Sequence, residues 1–248
     1  MSGHSKWSTI KRAKGKTDQL RGKLFSKLAR EITVAAKQGG ADLSGNARLR
    51  LVIDKAKAAN MPKDNIERAA AKGAGGADGA GLEELTYEGY GPAGAAVIAD
   101  IMTDNKNRTL SEIQFIFTKH GGNMGKTGCV SWQFTKYGVI TAEKSKADTE
   151  QLMADAIEAG AEDIIEEDDT IEIRTKPDNF EYVLKALNGK KYVFSSSEIT
   201  LVPNSTIAVS GDEAKKLLKL VNVLEEHDDV QNVYSNFDIP DDVAAEIQ

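Results

Sequence analysis

Leu20, Leu24, Leu28 and Ile32 recur every four residues, with Phe25 and Ala36 beside them, and this period predicts a helix. Its other faces carry Arg21, Lys23, Lys27, Arg30 and Lys37, and Gly39-Gly40 supplies a stop. A second helix is expected over residues 44–59, on Leu49, Val52, Ile53 and Ala56, with Asn60 suited to a left-handed cap. A third is expected over 62–72, opened by Pro62 and ended by Gly73. Three short helices of this kind make a small bundle. Residues 1–19 hold no sustained helical or strand period and are expected to form an extended arm that orders on a partner.

Residues 73–81, GAGGADGAG, bury little and read as a flexible linker. Beyond them the period changes. Ala95, Val97, Ala99 and Ile101 alternate as a strand, Leu110, Ile113 and Phe117 fit a helix ended by Gly121-Gly122, and Val130, Trp132 and Phe134 alternate again. A turn at Lys136-Tyr137-Gly138 leads to a strand at 139–143, a helix at 148–159, strands at 162–166 and 170–175, a helix from Pro177, and a strand-like stretch at 192–202. Ile207 and Val209 mark a short strand. Ser210-Gly211-Asp212-Glu213 reads as a capping box before Leu217, Leu218, Val221 and Leu224, and a last strand is expected near 230–237. Residues 138–202 thus read as βαββαβ, the ferredoxin-like order, while 82–134 and 205–238 each read as β–α–β and can pair into a second such unit. The expected class is α+β: an N-terminal three-helix bundle followed by two ferredoxin-like α/β domains, one inserted in the other. The domains are expected at 1–75, at 82–134 plus 205–248, and at 135–204.

Charge changes this picture from architecture to function. Residues 1–72 hold 17 Lys/Arg against 6 Asp/Glu, whereas 73–248 hold 15 against 32, a polarity hidden in the overall net charge of −6. Such a split suggests a basic anion-binding module on an acidic body. The plainer alternative is a basic solubilising tail. Lys6, Lys11, Arg12, Lys14 and Lys16 meet no acid before Asp18, and Arg21, Lys23, Lys27, Arg30, Arg48 and Arg50 continue the charge into the helices. Neutralising phosphates releases counterions, so these side chains are candidates for sequence-independent nucleic-acid contacts. His4 and Trp7 lie in the same arm, His4 for phosphate or stacking and Trp7 for stacking on a base or for anchoring the arm to the bundle. The sole cysteine, Cys129, cannot form an internal disulfide, which suits a reducing compartment. No apolar run approaches a membrane span, and no apolar core follows the basic start, so a cytoplasmic location is expected.

Catalytic patterns are weak. His120-Gly121-Gly122-Asn123-Met124-Gly125-Lys126-Thr127 approaches the phosphate-binding pattern G-x-x-x-x-G-K-[ST], but His120 stands at the first glycine and a helix precedes the loop where a strand belongs. The loop reads instead as a helix end and basic contact element, with Arg108, His120, Asn123 and Lys126 as candidate contacts. The three histidines are far apart and the one cysteine completes no metal-ligand spacing. A Cys129–His120 pair stays open, although Cys129 fits a small core residue. The acidic positions Glu162-Asp163, 166–169 and Glu172 lack the EF-hand spacing and read as a solvated hairpin.

Several blocks occur together in one order: Gly3-His4-Ser5-Lys6-Trp7, Arg21-Gly22-Lys23, Asn60-Met61-Pro62-Lys63-Asp64 with Ile66-Glu67-Arg68-Ala69, Tyr87-Glu88-Gly89-Tyr90-Gly91-Pro92, Thr103-Asp104-Asn105 with Asn107-Arg108-Thr109, and Lys119-His120-Gly121-Gly122-Asn123-Met124-Gly125. Along essentially its whole length the chain resembles the YebC/PmpR family. The resemblance implies a helical N-terminal domain and two α/β domains, one interrupting the other. It also implies a cytoplasmic regulator of gene expression without cofactor, metal or catalytic residue, commonly described as a DNA-binding transcriptional regulator. The related mitochondrial protein is described as a translational activator, and bacterial members are linked to ribosomes and difficult peptide bonds, so ribosomal or transfer RNA is the alternative partner. The residues alone do not choose between DNA and RNA, and no clear helix-turn-helix is present.

Overall fold

The computed structural model describes residues 18–75 and 81–239, with side chains from Arg21 onward. Three helices come first: α1 (Asp18–Gly39), α2 (Ala47–Ala58) and α3 (Lys63–Ala74). Leu28, Ile32, Leu49, Val52, Ile53, Met61 and Ile66 form their common core. Leu24, placed by its period on the buried stripe, is 43% exposed. Asn46 joins the first two helices: its Oδ1 accepts the Leu49 N–H at 3.0 Å, and its Nδ2 donates to the carbonyls of Ala35 and Gly40 at 2.8 Å each. That cap sets the start of α2 at Ala47, three residues later than the apolar period suggests. Asn60 takes the left-handed conformation, with φ of 59°. Gly73 does not end the third helix. It lies within α3 where a Cβ would meet the Thr33 carbonyl and come within 2.8 Å of the Ala36 Cβ, so its role is close helix crossing. The expected linker therefore loses Gly73 and Ala74 to the helix, and 76–80 lie outside the described residues.

The remaining elements are β1 (Glu83–Tyr90), β2 (Ala96–Thr103), α4 (Lys106–Lys119), β3 (Asn123–Met124), β4 (Phe134–Glu143), α5 (Thr149–Glu158), β5 (Asp163–Glu166), β6 (Thr170–Thr175), α6 (Phe180–Gly189), β7 (Ser196–Pro203), β8 (Ile207–Ala208), α7 (Gly211–Glu226), β9 (Val230–Ser235) and β10 (Phe237–Asp238). The chain divides into two compact units, one spanning 134–204 and the other formed by the segments before and after it. In the 134–204 unit the strand order is β5-β6-β4-β7, antiparallel throughout, which is the ferredoxin-like sheet. Phe180, Val183 and Leu187 of α6 and Leu152 and Ala156 of α5 are buried with Ile140, Ile171 and Ile173.

In the other unit the order is β3-β1-β2-β9, again antiparallel between neighbours. The strand order differs from that of the 134–204 unit, because the chain enters by a β1–β2 hairpin before α4 rather than by a β–α–β segment. Alternation does not reveal β1, because Glu88 is buried and Gly89 has no side chain to mark a face. Ala95, Val97, Ile101, Ile113, Phe117, Leu217, Leu220 and Leu224 build its core, separate from that of the helices.

Four local expectations change. Residues 131–133 form a 3-10 turn rather than a strand, which puts Trp132 outside. Lys136-Tyr137-Gly138 continues β4; Gly138 is a close-approach position, 2.7 Å from Phe180 Cβ for any added Cβ, not a turn. Ser210 is the cap residue of α7, but its side chain makes no capping bond, since Gly211 follows with φ of 60° and turns the chain away from that geometry. Glu172 is buried and accepts from Arg174 Nε at 2.7 Å, so it is not part of a solvated face. Among the described residues no helix is long and apolar enough to cross a membrane.

Candidate nucleic-acid interface

His4, Lys6, Trp7, Lys11, Arg12, Lys14 and Lys16 lie outside the described residues. The helical cations are engaged within the molecule. Lys23 Nζ donates to the Glu226 carbonyl at 3.1 Å, Lys27 Nζ to the Glu225 carbonyl at 2.6 Å, and Arg30 to the Asp228 carbonyl and, at 3.0 Å, to Asp229 Oδ1. These acceptors stand at the C-terminal end of α7, where the last carbonyls lack helical partners and the helix dipole is negative. Arg48 forks onto Glu84 at the start of β1 and reaches Gln38 Oε1 at 2.6 Å. Arg50 donates to the carbonyls of Leu43 and Ser44, closing the turn between α1 and α2. Arg21 is exposed on α1.

Asp229 is the centre of this docking. It is 4% exposed, and its Oδ2 accepts from Thr109 at 2.7 Å, Arg108 at 2.9 Å and Thr103 at 3.2 Å. Burial alone would push its carboxyl up; the Thr109 and Arg108 bonds, the Arg30 charge and the Thr103 bond outweigh it and hold the group below the usual carboxylate range. Asn105 caps α4 by accepting the Arg108 N–H at 3.1 Å. The Thr103-to-Thr109 block is thus a structural joint. Arg108 stands at the start of α4 and His120 beyond its end, about 18 Å of helix away, so the structure does not bring Arg108 to the 120–127 loop.

Two other blocks do meet. Asn123 and Met124 of β3 pair with Tyr90 and Gly89 of β1. Gly122 passes so close that a Cβ there would lie 2.8 Å from the Tyr90 carbonyl, and Gly121 takes φ of 79°. Glu88 then fixes the rest of the loop: its buried carboxylate accepts backbone N–H groups from Gly128 at 2.8 Å and from Val130 and Ser131 at 2.9 Å each. Burial would raise the Glu88 carboxyl, yet these donors together hold it below its ordinary value. On this frame Tyr90 Oη and Trp132 Nε1 both donate to the Cys129 carbonyl at 3.0 Å, with Tyr90 40% and Trp132 71% exposed. Asn123 and Lys126 are exposed on the same loop.

His120 is half-buried; burial, then Lys119 and Lys219, push its pKa down, which favours the neutral imidazole. Burial and the Glu88 carboxylate push the Cys129 thiol up, the reverse of an activated nucleophile. The loop follows α4 and leads into the 131–133 turn, so no helix begins behind Lys126-Thr127 to hold a phosphate. Glu88 and Tyr90 are absent from the sequence-based candidates, and only their place in a shared motif block could draw attention to them.

Comparison with known proteins covers both parts of the chain. A family model described as the TACO1/YebC protein N-terminal domain matches residues 5–76, and one described as the TACO1/YebC second and third domain matches 82–237. A "Probable transcriptional regulatory protein" of Trichlorobacter lovleyi is 56% identical, with 98% of each chain covered. One of the same name from Natranaerobius thermophilus is 54% identical over 97% of this chain and 98% of its own. A crystal structure of a conserved hypothetical protein from Aquifex aeolicus superposes with a TM-score of 0.84 at 47% identity, over 92% of this chain and 94% of that one.

Proposed function

The chain belongs to the TACO1/YebC family, and on that premise we propose that it is a nucleic-acid-binding regulator of gene expression, a binding protein rather than an enzyme. The observation that carries this reading is the charge separation, 17 cations against 6 acids in residues 1–72, with five of those cations ahead of the first acid. Lys23, Lys27, Arg30, Arg48 and Arg50 are engaged internally, so the reading places the main phosphate contacts on Lys6, Lys11, Arg12, Lys14 and Lys16. The names of the relatives support a transcriptional role, and the first reading is that the chain acts on duplex DNA in the cytoplasm. A second reading, an RNA-directed role in translation at the ribosome, is favoured by the exposed Tyr90 and Trp132, because unpaired bases stack on such rings.

Removing residues 2–16 tests the proposal. Titrations against duplex DNA, single-stranded RNA and ribosomes at several salt concentrations should show weaker binding to all, with the log–log salt slope reduced by about 0.7–0.9 for each phosphate the arm no longer neutralises. Tighter binding to ribosomes than to duplex at matched salt would select translation. Unchanged affinity and slope would remove the arm from the interface.

A further inference from the structure

We propose that Tyr90 and Trp132 form a stacking platform for an unpaired nucleobase, which directs this region to single-stranded rather than duplex nucleic acid. The proposal rests on the nucleic-acid-binding reading above and deepens it. Two 3.0 Å bonds to one carbonyl oxygen hold the polar edges of the two rings within about 6 Å of each other. That carbonyl cannot drift, because Glu88 grips the backbone on both sides of Cys129, at Gly128 and at Val130 and Ser131. The rings are therefore placed before any ligand arrives, and little ordering entropy is left for binding to lose. Tryptophan is usually well buried, and here 71% of it stays outside although its N–H already has a protein acceptor.

Charge matches the same ligand. Lys126 is exposed in the turn that presents the Cys129 carbonyl, its own carbonyl accepting the Cys129 N–H at 3.1 Å. This cation suits a phosphate backbone. In a duplex both faces of every internal base are covered by neighbours, so rings fixed to a rigid loop gain nothing from it without flipping a base out.

The test uses full-length protein carrying Trp7→Phe, which leaves Trp132 as the sole tryptophan of the two in the chain. Oligouridine RNA, oligothymidine DNA and duplex DNA are titrated at matched salt, following Trp132 fluorescence and the anisotropy of a labelled oligonucleotide. Single strands should quench Trp132 and duplex should not. Quenching by RNA alone would add recognition of the ribose, and quenching by both would show stacking without sugar discrimination. Trp132→Ala should weaken single-strand binding about tenfold with an unchanged salt slope, and Trp132→Phe should recover part of it. Because Trp132 is exposed, the thermal melt of each variant serves as the control for folding. Binding seen by anisotropy with Trp132 fluorescence unmoved, or undiminished single-strand binding by Trp132→Ala, overturns the platform and leaves the wider reading standing. Binding of no oligonucleotide by any variant overturns both.

Discussion

On the flank of α1, Lys23, Lys27 and Arg30 reach the carbonyls that end α7 and the Asp229 carboxylate, whereas at the end of β1 Tyr90 and Trp132 turn their ring edges to one carbonyl and stay exposed. By composition the first region is the obvious anion site and the second is unremarked. The geometry reverses the order. A cation already bonded to a helix C-terminus must give up that bond before it can serve a phosphate, and the carbonyl and carboxylate it leaves must then be solvated again. Stacking a base on the exposed rings breaks neither of the bonds to the Cys129 carbonyl. A run of lysines and arginines on a helix is therefore evidence of an electrostatic surface, and the packing decides whether its partner is another part of the same chain.

The largest expected effect comes from breaking the joint on the α1 side. Asp229→Ala should cost on the order of 3 kcal/mol of stability at neutral pH, because two guanidinium groups and two hydroxyls each lose a bond to one buried carboxylate. The Asp229 pKa is depressed in the fold. Its stabilisation is therefore fully present above the unfolded carboxylate value, about 3.9, and is lost as pH falls through the lower folded value. Urea melts at pH 7 and in acid should show the gap between wild type and variant closing at low pH. A gap of zero at pH 7 would mean that the α1 cations are not tied down.

Breaking the frame of the other region should cost less. Glu88→Gln keeps one acceptor oxygen but sets an amide NH2 against at least one of the three backbone donors, and should reduce stability by about 2 kcal/mol, with the same direction of pH dependence because this carboxyl is also depressed. Hydrogen exchange should quicken at Gly128, Val130 and Ser131 before it does in β2. Uniform quickening across the unit would show that Glu88 supports the whole fold rather than the loop.

The smallest effect sharpens the contrast most directly. Lys23→Ala and Lys27→Ala should each cost about 0.3–1 kcal/mol of stability, as expected for a cation at a helix C-terminus. Neither should alter the salt slope for nucleic acid, whereas an arm substitution such as Lys11→Ala should lower it by about 0.7–0.9. A lowered slope for Lys23→Ala would return the α1 flank to the interface.

The long apolar periods are legible in the sequence. Leu28 and Ile32, then Leu49, Val52 and Ile53, and later Leu217, Val221 and Leu224 are all core positions of helices, and Asn60 is the left-handed stop its residue type suggests. The site is less legible, because its residues break those periods. Glu88 is a buried acid in a strand and so weakens the alternation that would reveal β1. Gly73 and Gly138 read as breaks, although each allows a close approach of elements distant in sequence.

Periodicity, turn residues and charge runs act between neighbours in the chain, and they determined by themselves the three helices, the two sheet-bearing parts and the basic start. Tertiary structure alone decided that the α1 cations face the end of α7, nearly 200 positions away, and that Glu88 on one strand would hold Gly128, Val130 and Ser131 on a distant loop. The physical reason is that a hydrogen bond or an ion pair depends on separation in space and on shelter from water, and neither quantity exists until the sheet has closed.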